Sequence, residues 1–229
     1  MNRLEMALQV QAQLGDTDET IWTLDEIKDY TQEAYDDFVV RGLVLWARSA
    51  LNDVASTATY ALPSTFVEMD RVEKNYEALP PATSRTQMSG NGYFKTTEGR
   101  PYTYLIEDDG LTTLRKIPVP SEAATDFYIE FFKKGTPLTT DAIEFGIADR
   151  YLRYLNYYIL AKCFERDGDG QDVPLAEYWM TMYATGVEMV VARRARYHNR
   201  RVAHLGTDNP RSGRLAAPGS LPPYFPIVR

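Results

Sequence analysis

Four carboxylates, Glu165, Asp167, Asp169 and Asp172, fall within eight residues around Gly168 and Gly170. Oxygen ligands at alternate positions around a turn glycine could hold calcium, provided a bidentate glutamate closes the loop at its twelfth position. Counting from Glu165 places Asp167, Asp169 and Gly170 at the third, fifth and sixth positions, but the twelfth is Ala176. Counting from Asp167 misplaces the glycine. The stretch therefore reads as the turn of a helix hairpin, its acids capping the positive end of the next helix. Other reactive chemistry is sparse. The two histidines, His198 and His204, lie close to the C-terminus, and no Cys/His spacing suits zinc. Phosphate-cradling G-x-x-x-x-G-K-[ST] and strand-borne G-x-G-x-x-G motifs are missing from the chain. Cys163 sits among apolar helical neighbours and reads as a core thiol rather than a nucleophile. A hydrolase built on Glu165, Asp167 and Asp169 has no partner constellation. The expectation is a protein that is not an enzyme, with no cofactor and no metal.

Arginine is the residue type whose placement stands out. From Arg193 onward there are eight arginines and one acid, Asp208. That segment carries +7, so the net charge of −7 leaves −14 on the rest of the chain. Arg193, Arg194, Arg196, Arg200 and Arg201 close a long helical pattern, where cations suit the negative end of the dipole. They form either a solvated helix end or a patch facing an acidic partner. After Gly206 come five prolines, and the chain finishes Leu221-Pro-Pro-Tyr-Phe-Pro-Ile-Val-Arg229. A solvated tail gains nothing from Tyr224, Phe225, Ile227 and Val228, whereas a pre-extended arm loses little entropy when it docks. This terminus favours the partner reading, with Tyr224, Phe225, Pro226, Ile227, Val228 and Arg229 as the binding segment and the five arginines as electrostatic aids.

Elements that could carry such an arm follow from periodicity. Leu4, Leu8 and Val10 among helix formers predict a helix over Asn2–Leu14, stopped by Gly15. Thr23 and Glu26 have capping-box spacing ahead of a 3.6-residue stripe through Ile27, Tyr30, Ala34, Tyr35 and Phe38, so a helix is expected over 24–41. Leu43–Val54 fits neither period. From Thr57 to Lys134, prolines and glycines punctuate short runs that read as strands: 59–62, 68–74, 93–97, 102–107, 112–117 and 127–133. Asp108-Asp109-Gly110 reads as a hairpin turn, and Pro80–Gly92 as a loop. Helical stripes return along Ile147, Tyr151, Leu155, Tyr158 and Ile159, and again from Pro174 to about Tyr197. The sixteen tyrosines mostly follow these stripes, which favours packing over a sugar-binding platform.

Composition narrows the class further. With 229 residues, 44% hydrophobic and 25% charged, the chain suits one or two globular domains rather than a fibre or a disordered polymer. Its apolar runs fall short of the about 20 residues that a membrane helix needs, so no membrane association is expected. Glu5 interrupts any export signal, and one cysteine allows no internal disulfide, which fits a reducing cytoplasm.

The order of short segments from about residue 20 to 200 resembles the head-to-tail adaptor (connector) proteins of tailed bacteriophages, including the tail-tubular type of podoviruses. It begins with Trp22-Thr-Leu-Asp-Glu-Ile27, then Tyr30-Thr-Gln-Glu-Ala34, Tyr60-Ala-Leu-Pro63, Met69-Asp-Arg-Val72 and Leu79-Pro-Pro81. It continues with Gly99-Arg-Pro-Tyr102, Leu114-Arg-Lys-Ile-Pro-Val-Pro120, Phe127-Tyr-Ile-Glu-Phe-Phe-Lys-Lys134, Pro137-Leu-Thr139 and Ala148-Asp-Arg-Tyr-Leu-Arg-Tyr154. Leu43–Ser56 and Ser84–Phe94 do not align, which leaves the strand count open. The resemblance implies a structural virion protein, assembled in the host cytoplasm and located at the head-to-tail junction. It implies a ring, usually of twelve copies, that sits under the portal protein, extends the DNA channel and presents a platform to downstream tail or nozzle proteins. It also implies that the C-terminal arm docks on the portal.

Together these readings give an α+β expectation: an antiparallel helical bundle with an inserted small antiparallel β domain and an extended C-terminal arm. The expected divisions are 1–56 for the N-terminal helices, 57–135 for the β domain, 136–203 for the C-terminal helical hairpin and 204–229 for the arm. The rival function is a nucleic-acid-binding protein that acts through the basic tail.

Overall fold

The computed structural model of the chain describes residues 1–82, 96–107 and 112–207, with side chains up to residue 195. Residues 1–191 form one compact unit and residues 192–229 a second. The first helix, α1 (Arg3–Leu14), opens with a capping box in which Asn2 and Glu5 satisfy each other's backbone N–H groups. Gly15 closes it in the left-handed conformation, φ +71°. The second, α2 (Leu24–Gly42), has the anticipated Thr23/Glu26 capping box. Its buried stripe of Ile27, Thr31, Ala34, Tyr35 and Phe38 meets α3 (Leu152–Glu165) and α4 (Val173–Thr207).

Nine strands follow α2 among the described residues: β1 (Trp46–Ala50), β2 (Thr59–Ala61), β3 (Phe66–Lys74), β4 (Glu77–Leu79), β5 (Glu98–Gly99), β6 (Thr103–Glu107), β7 (Thr113–Ile117), β8 (Val119–Pro120) and β9 (Phe127–Lys133). They make a four-stranded sheet in the order β1-β9-β3-β4, a three-stranded sheet β2-β7-β6 and a two-stranded pair β5-β8. Pairing is antiparallel except for β5-β8. Strand β9 is central and buried on both faces, so it reads as an apolar run rather than an alternation.

The expectation of a helical bundle with a small inserted β domain is overturned. Nine strands in three sheets carry a core of their own around Val72, Leu114, Phe127, Ile129 and Phe131, and they belong to the same compact unit as the helices. Part of the error lies at β1. Its WARSA sequence alternates exposed and half-buried residues, with Trp46 and Arg48 on one face, so no apolar stripe marks it. It nevertheless pairs with β9 along its whole length, Trp46 opposite Phe132 through Ala50 opposite Tyr128. The strand expected at 93–97 and the Asp108–Gly110 turn lie largely or wholly outside the described residues; β6 and β7 on either side of that turn do pair, Glu107 with Thr113. Strand β4 was not anticipated. It follows a two-residue turn, Asn75-Tyr76, in which both residues have positive φ, +52° and +65°.

The helical core is built around aromatic rings. Phe38 packs against Tyr151, Tyr154 and Tyr183 at centroid distances of 5.9, 6.2 and 6.5 Å. Gly186 lets α4 approach that cluster, because a Cβ there would lie 2.2 Å from the Tyr154 ring. The longest helix, α4, runs to Thr207, ten residues beyond the expected end at Tyr197 and through positions 204–207 of the expected extended arm.

Candidate partner-binding surface

The acidic turn between α3 and α4 behaves as a helix cap. Asp172 Oδ1 accepts from the Leu175 N–H at 3.1 Å, and Asp167 accepts from the Gln171 side chain at 3.0 Å. Pro174 occupies the first turn of α4, where its missing N–H costs nothing. Among the described residues no group of three or more His, Cys, Asp or Glu side chains could hold a metal ion, and no helix is long and apolar enough to cross a membrane. Cys163 is fully buried, and burial, with Glu26 adding to it, pushes its thiol up to about 12. Its carbonyl accepts from Trp22 Nε1 at 3.0 Å, so the residue is part of the core.

The basic end of α4 begins with Arg193, which is exposed, and Arg194, which is half-buried. Positions 196, 200 and 201 continue the helix, but their side chains are outside the described residues. So is the whole segment Tyr224–Arg229, including Phe225, Pro226, Ile227 and Val228.

Two groups unnoticed in the sequence have unusual chemistry. Lys116 is 0% exposed, and its Nζ lies 2.6 Å from Asp53 Oδ1 and 3.7 and 4.0 Å from the ring centres of Phe127 and Tyr60. It also donates to the Leu51 carbonyl, while Lys74 holds the other Asp53 oxygen at 2.5 Å. Burial brings the Lys116 ammonium down to about 8, against the pull of Asp53. A depressed lysine is what amine catalysis needs, but this one is enclosed on every side. It ties β7 to the loop after β1 and to the start of β9, and so has a structural role. The second group is Asp16, whose carboxylate accepts from the Thr20 hydroxyl and from the N–H groups of Thr20, Ile21 and Trp22. The Thr20 hydroxyl, followed by the Trp22 N–H, holds it well below the usual carboxylate range.

Two grooves mark the helical surface. One, of about 600 Å³, is acidic, lined by Arg3, Asp29, Gln32, Glu33, Asp36 and residues 137–139. The other, of about 390 Å³, lies among α1, α3 and α4. Its walls include Tyr157 and Trp179, stacked at 5.4 Å, together with Phe164 and Leu175. Asn156 also lines it; this residue is 7% exposed, and its Oδ1 has no hydrogen-bond partner. The sequence carried one signal of it, an asparagine in the apolar run Leu155–Leu160.

The model of the SU10 adaptor protein family matches residues 1–205. The chain belongs to the SU10 adaptor protein family. The resemblance read from Trp22 to Tyr154 to head-to-tail adaptors of tailed phages is thereby borne out. An adaptor of this family is a structural protein and a phage virion component that interacts with portal and tail proteins. A comparison of this adaptor with curated proteins finds no match. The family match ends before most of the proline-rich terminus, so residues 206–229 stand outside it.

Proposed function

We propose that this adaptor forms a ring, of twelve copies by its resemblance to phage connectors, between the portal and the downstream tail or nozzle proteins. The ring extends the channel through which the genome passes. Each copy is anchored to the portal by its C-terminal arm, with Tyr224, Phe225, Pro226, Ile227, Val228 and Arg229 as the docking segment. Arg193, Arg194, Arg196, Arg200 and Arg201 attract an acidic portal surface. The junction is assembled in the host cytoplasm.

The observation that carries this reading is the family match over residues 1–205. The charge distribution supports it. A body of −14 repels phosphate and lets DNA pass without sequence-specific binding, whereas the +7 segment is free to meet a different partner. Removing the residues after Gly206 should leave residues 1–191 folded by circular dichroism and abolish attachment to portal-bearing heads in a pull-down. Attachment retained by the truncated chain refutes the arm's role. Subunit counting in images of purified particles tests the ring. The rival reading, nucleic-acid binding by the basic tail, requires a peptide of residues 193–229 to bind DNA with a steep salt dependence and to ignore the portal.

A further inference from the structure

Lys116 and Asp53 meet out of reach of solvent. Nζ lies 2.6 Å from Oδ1, and the two side chains are 0% and 1% exposed. The backbone fixes both residues. The Asp53 N–H donates to the Ala124 carbonyl at 2.8 Å and the Asp53 carbonyl accepts from the Ala124 N–H at 3.2 Å, while the Lys116 N–H donates to the Ala58 carbonyl at 2.9 Å. Lys74 donates to Asp53 Oδ2 at 2.5 Å, and the Leu51 carbonyl accepts from Lys116 Nζ. The rings of Phe127 and Tyr60 close the remaining side of the ammonium. An amine and a carboxyl group fixed at contact distance have already lost the translational and rotational freedom that a condensation otherwise costs. Burial also favours the uncharged pair, since it brings the Lys116 ammonium down to about 8 and the free amine within reach.

We propose that Lys116 and Asp53 join covalently, Nζ forming an amide with Cγ while one molecule of water leaves. Nζ passes one proton to Oδ1, attacks Cγ as the free amine, and passes a second proton to the same oxygen, which departs as water. The Nζ–Cγ bond forms, the Cγ–Oδ1 bond breaks, and the opposite charges of the pair cancel. No oxidant, reductant or further reactant is needed. The surroundings fit the product. The one N–H left on Nζ donates to the Leu51 carbonyl, and Oδ2, now the amide oxygen, keeps its hydrogen bond from Lys74. The departing oxygen, Oδ1, is the one that Lys74 does not hold. Asp126, which acts on the Lys116 charge and whose buried Oδ1 has no hydrogen-bond partner, remains as an acid beside the cluster once Asp53 is neutral. The bond ties the loop after β1, in the four-stranded sheet, to β7 in the three-stranded one, so the two sheets cannot be drawn apart there without breaking a covalent bond. The chain folds with the pair ionic and open, and the bond closes afterwards. This is a modification of the chain itself and does not rest on the ring or the arm.

The test takes the full chain, freshly purified and sampled over several days, and measures its intact mass after complete denaturation. A species lighter than the sequence mass by one water should grow in. Trypsin should then release residues 49–71 and 116–133 as one branched species, because a linked Lys116 is no longer cut, and fragmentation should place the link between Asp53 and Lys116. The linked chain should also run ahead of the open one on a denaturing gel, because the closed loop keeps the unfolded chain compact. Lys116→Arg keeps the positive charge and Lys116→Met keeps the volume; both should stay at full mass. Asp109-Gly110, Asp167-Gly168 and Asp169-Gly170 can also lose water, by closing a succinimide. A loss that maps to one of these pairs, or that persists in the Lys116 variants, overturns the inference. A wild-type chain that keeps its full mass throughout overturns it too, and leaves Lys116 and Asp53 as an ion pair only. The wild-type mass and peptide map decide the matter even where a variant fails to fold.

Discussion

Around Phe38 the buried polar atoms are phenol hydroxyls on rings that belong to the core. Tyr183 donates to Asp37 at 2.5 Å and Tyr158 to Glu33 at 2.6 Å, each acid reaching in from α2. Around Phe127 they are ammonium and carboxylate groups enclosed between sheets: Lys116 and Lys74 on Asp53, with Arg48 and Arg71 on Glu73 at 3.0 and 2.7 Å nearby. Around Phe38 the helical part places its acids nearer the rim and lets neutral phenols reach them. The β part buries the charges themselves. A phenol removed from the first leaves a solvated acid, whereas an acid removed from the second strands two cations in a low-dielectric interior. Mutation and pH should therefore act unequally on the two parts.

The largest effect is expected at Asp53. Asp53→Ala leaves Lys116 and Lys74 without their shared counter-ion, and should cost about 3–5 kcal/mol in urea denaturation. Lys116→Met keeps the volume and leaves Asp53 paired with Lys74, so it should cost clearly less. Equal losses for the two would show that packing, not charge, holds the sheets together.

The same cluster sets a pH dependence. Lys116 titrates at about 8 in the folded chain and near its ordinary, higher value when unfolded, because burial disfavours the ammonium. Between those values the unfolded state binds more protons, so stability rises with pH above about 8, before the tyrosines ionise. The facing groups are Asp53, Lys74 and Asp126, with the rings of Tyr60 and Phe127. Lys116→Met should abolish the rise; a rise that persists in the variant assigns it to another group. Asp16 acts in the opposite range. Its depressed carboxyl stabilises the fold at neutral pH, and that contribution is lost as the pH falls below about 4. Asp16→Asn should make acid unfolding less steep.

Smaller effects belong to the helices. Tyr183→Phe keeps the ring and removes the hydrogen bond to Asp37, at a cost of about 1.5–3 kcal/mol. Burial, reinforced by Asp37, pushes the Tyr183 phenol up, so wild-type Tyr183 should resist ionisation in an alkaline absorbance titration. Thr23→Ala removes the cap of α2 and should cost about 1 kcal/mol. A loss at Thr23 as large as that at Asp53 would erase the contrast between the two parts.

The first two helices were legible because a local start or stop signal accompanies an apolar stripe. Thr23/Glu26 marked the start of α2, and Gly15 marked the end of α1. Strand β9 was legible as a compact apolar run, Phe127–Lys133. Strand β1 was not, because Arg48 and Trp46 sit on a face whose burial depends on neighbours distant in sequence. The proposed arm lies outside the described residues and rests on composition, Pro and aromatic residues beside a +7 segment. The groove was not, because Gln13, Asn156 and Trp179 come from three helices and no local pattern joins them.

By itself the sequence determined where helices start, which faces they bury, how charge is divided along the chain, and membership of a phage adaptor family. Those depend on neighbours within a few residues, on summed charge, or on the order of short segments. Only the tertiary structure decided that the nine strands of the described residues share one compact unit with the helices, that Asp53 sits between two lysines, and that Asn156 lines an aromatic groove. Such facts depend on which distant residues end up within a few ångströms of each other. A buried charge or an unpaired amide has its meaning only once those neighbours have excluded water from it.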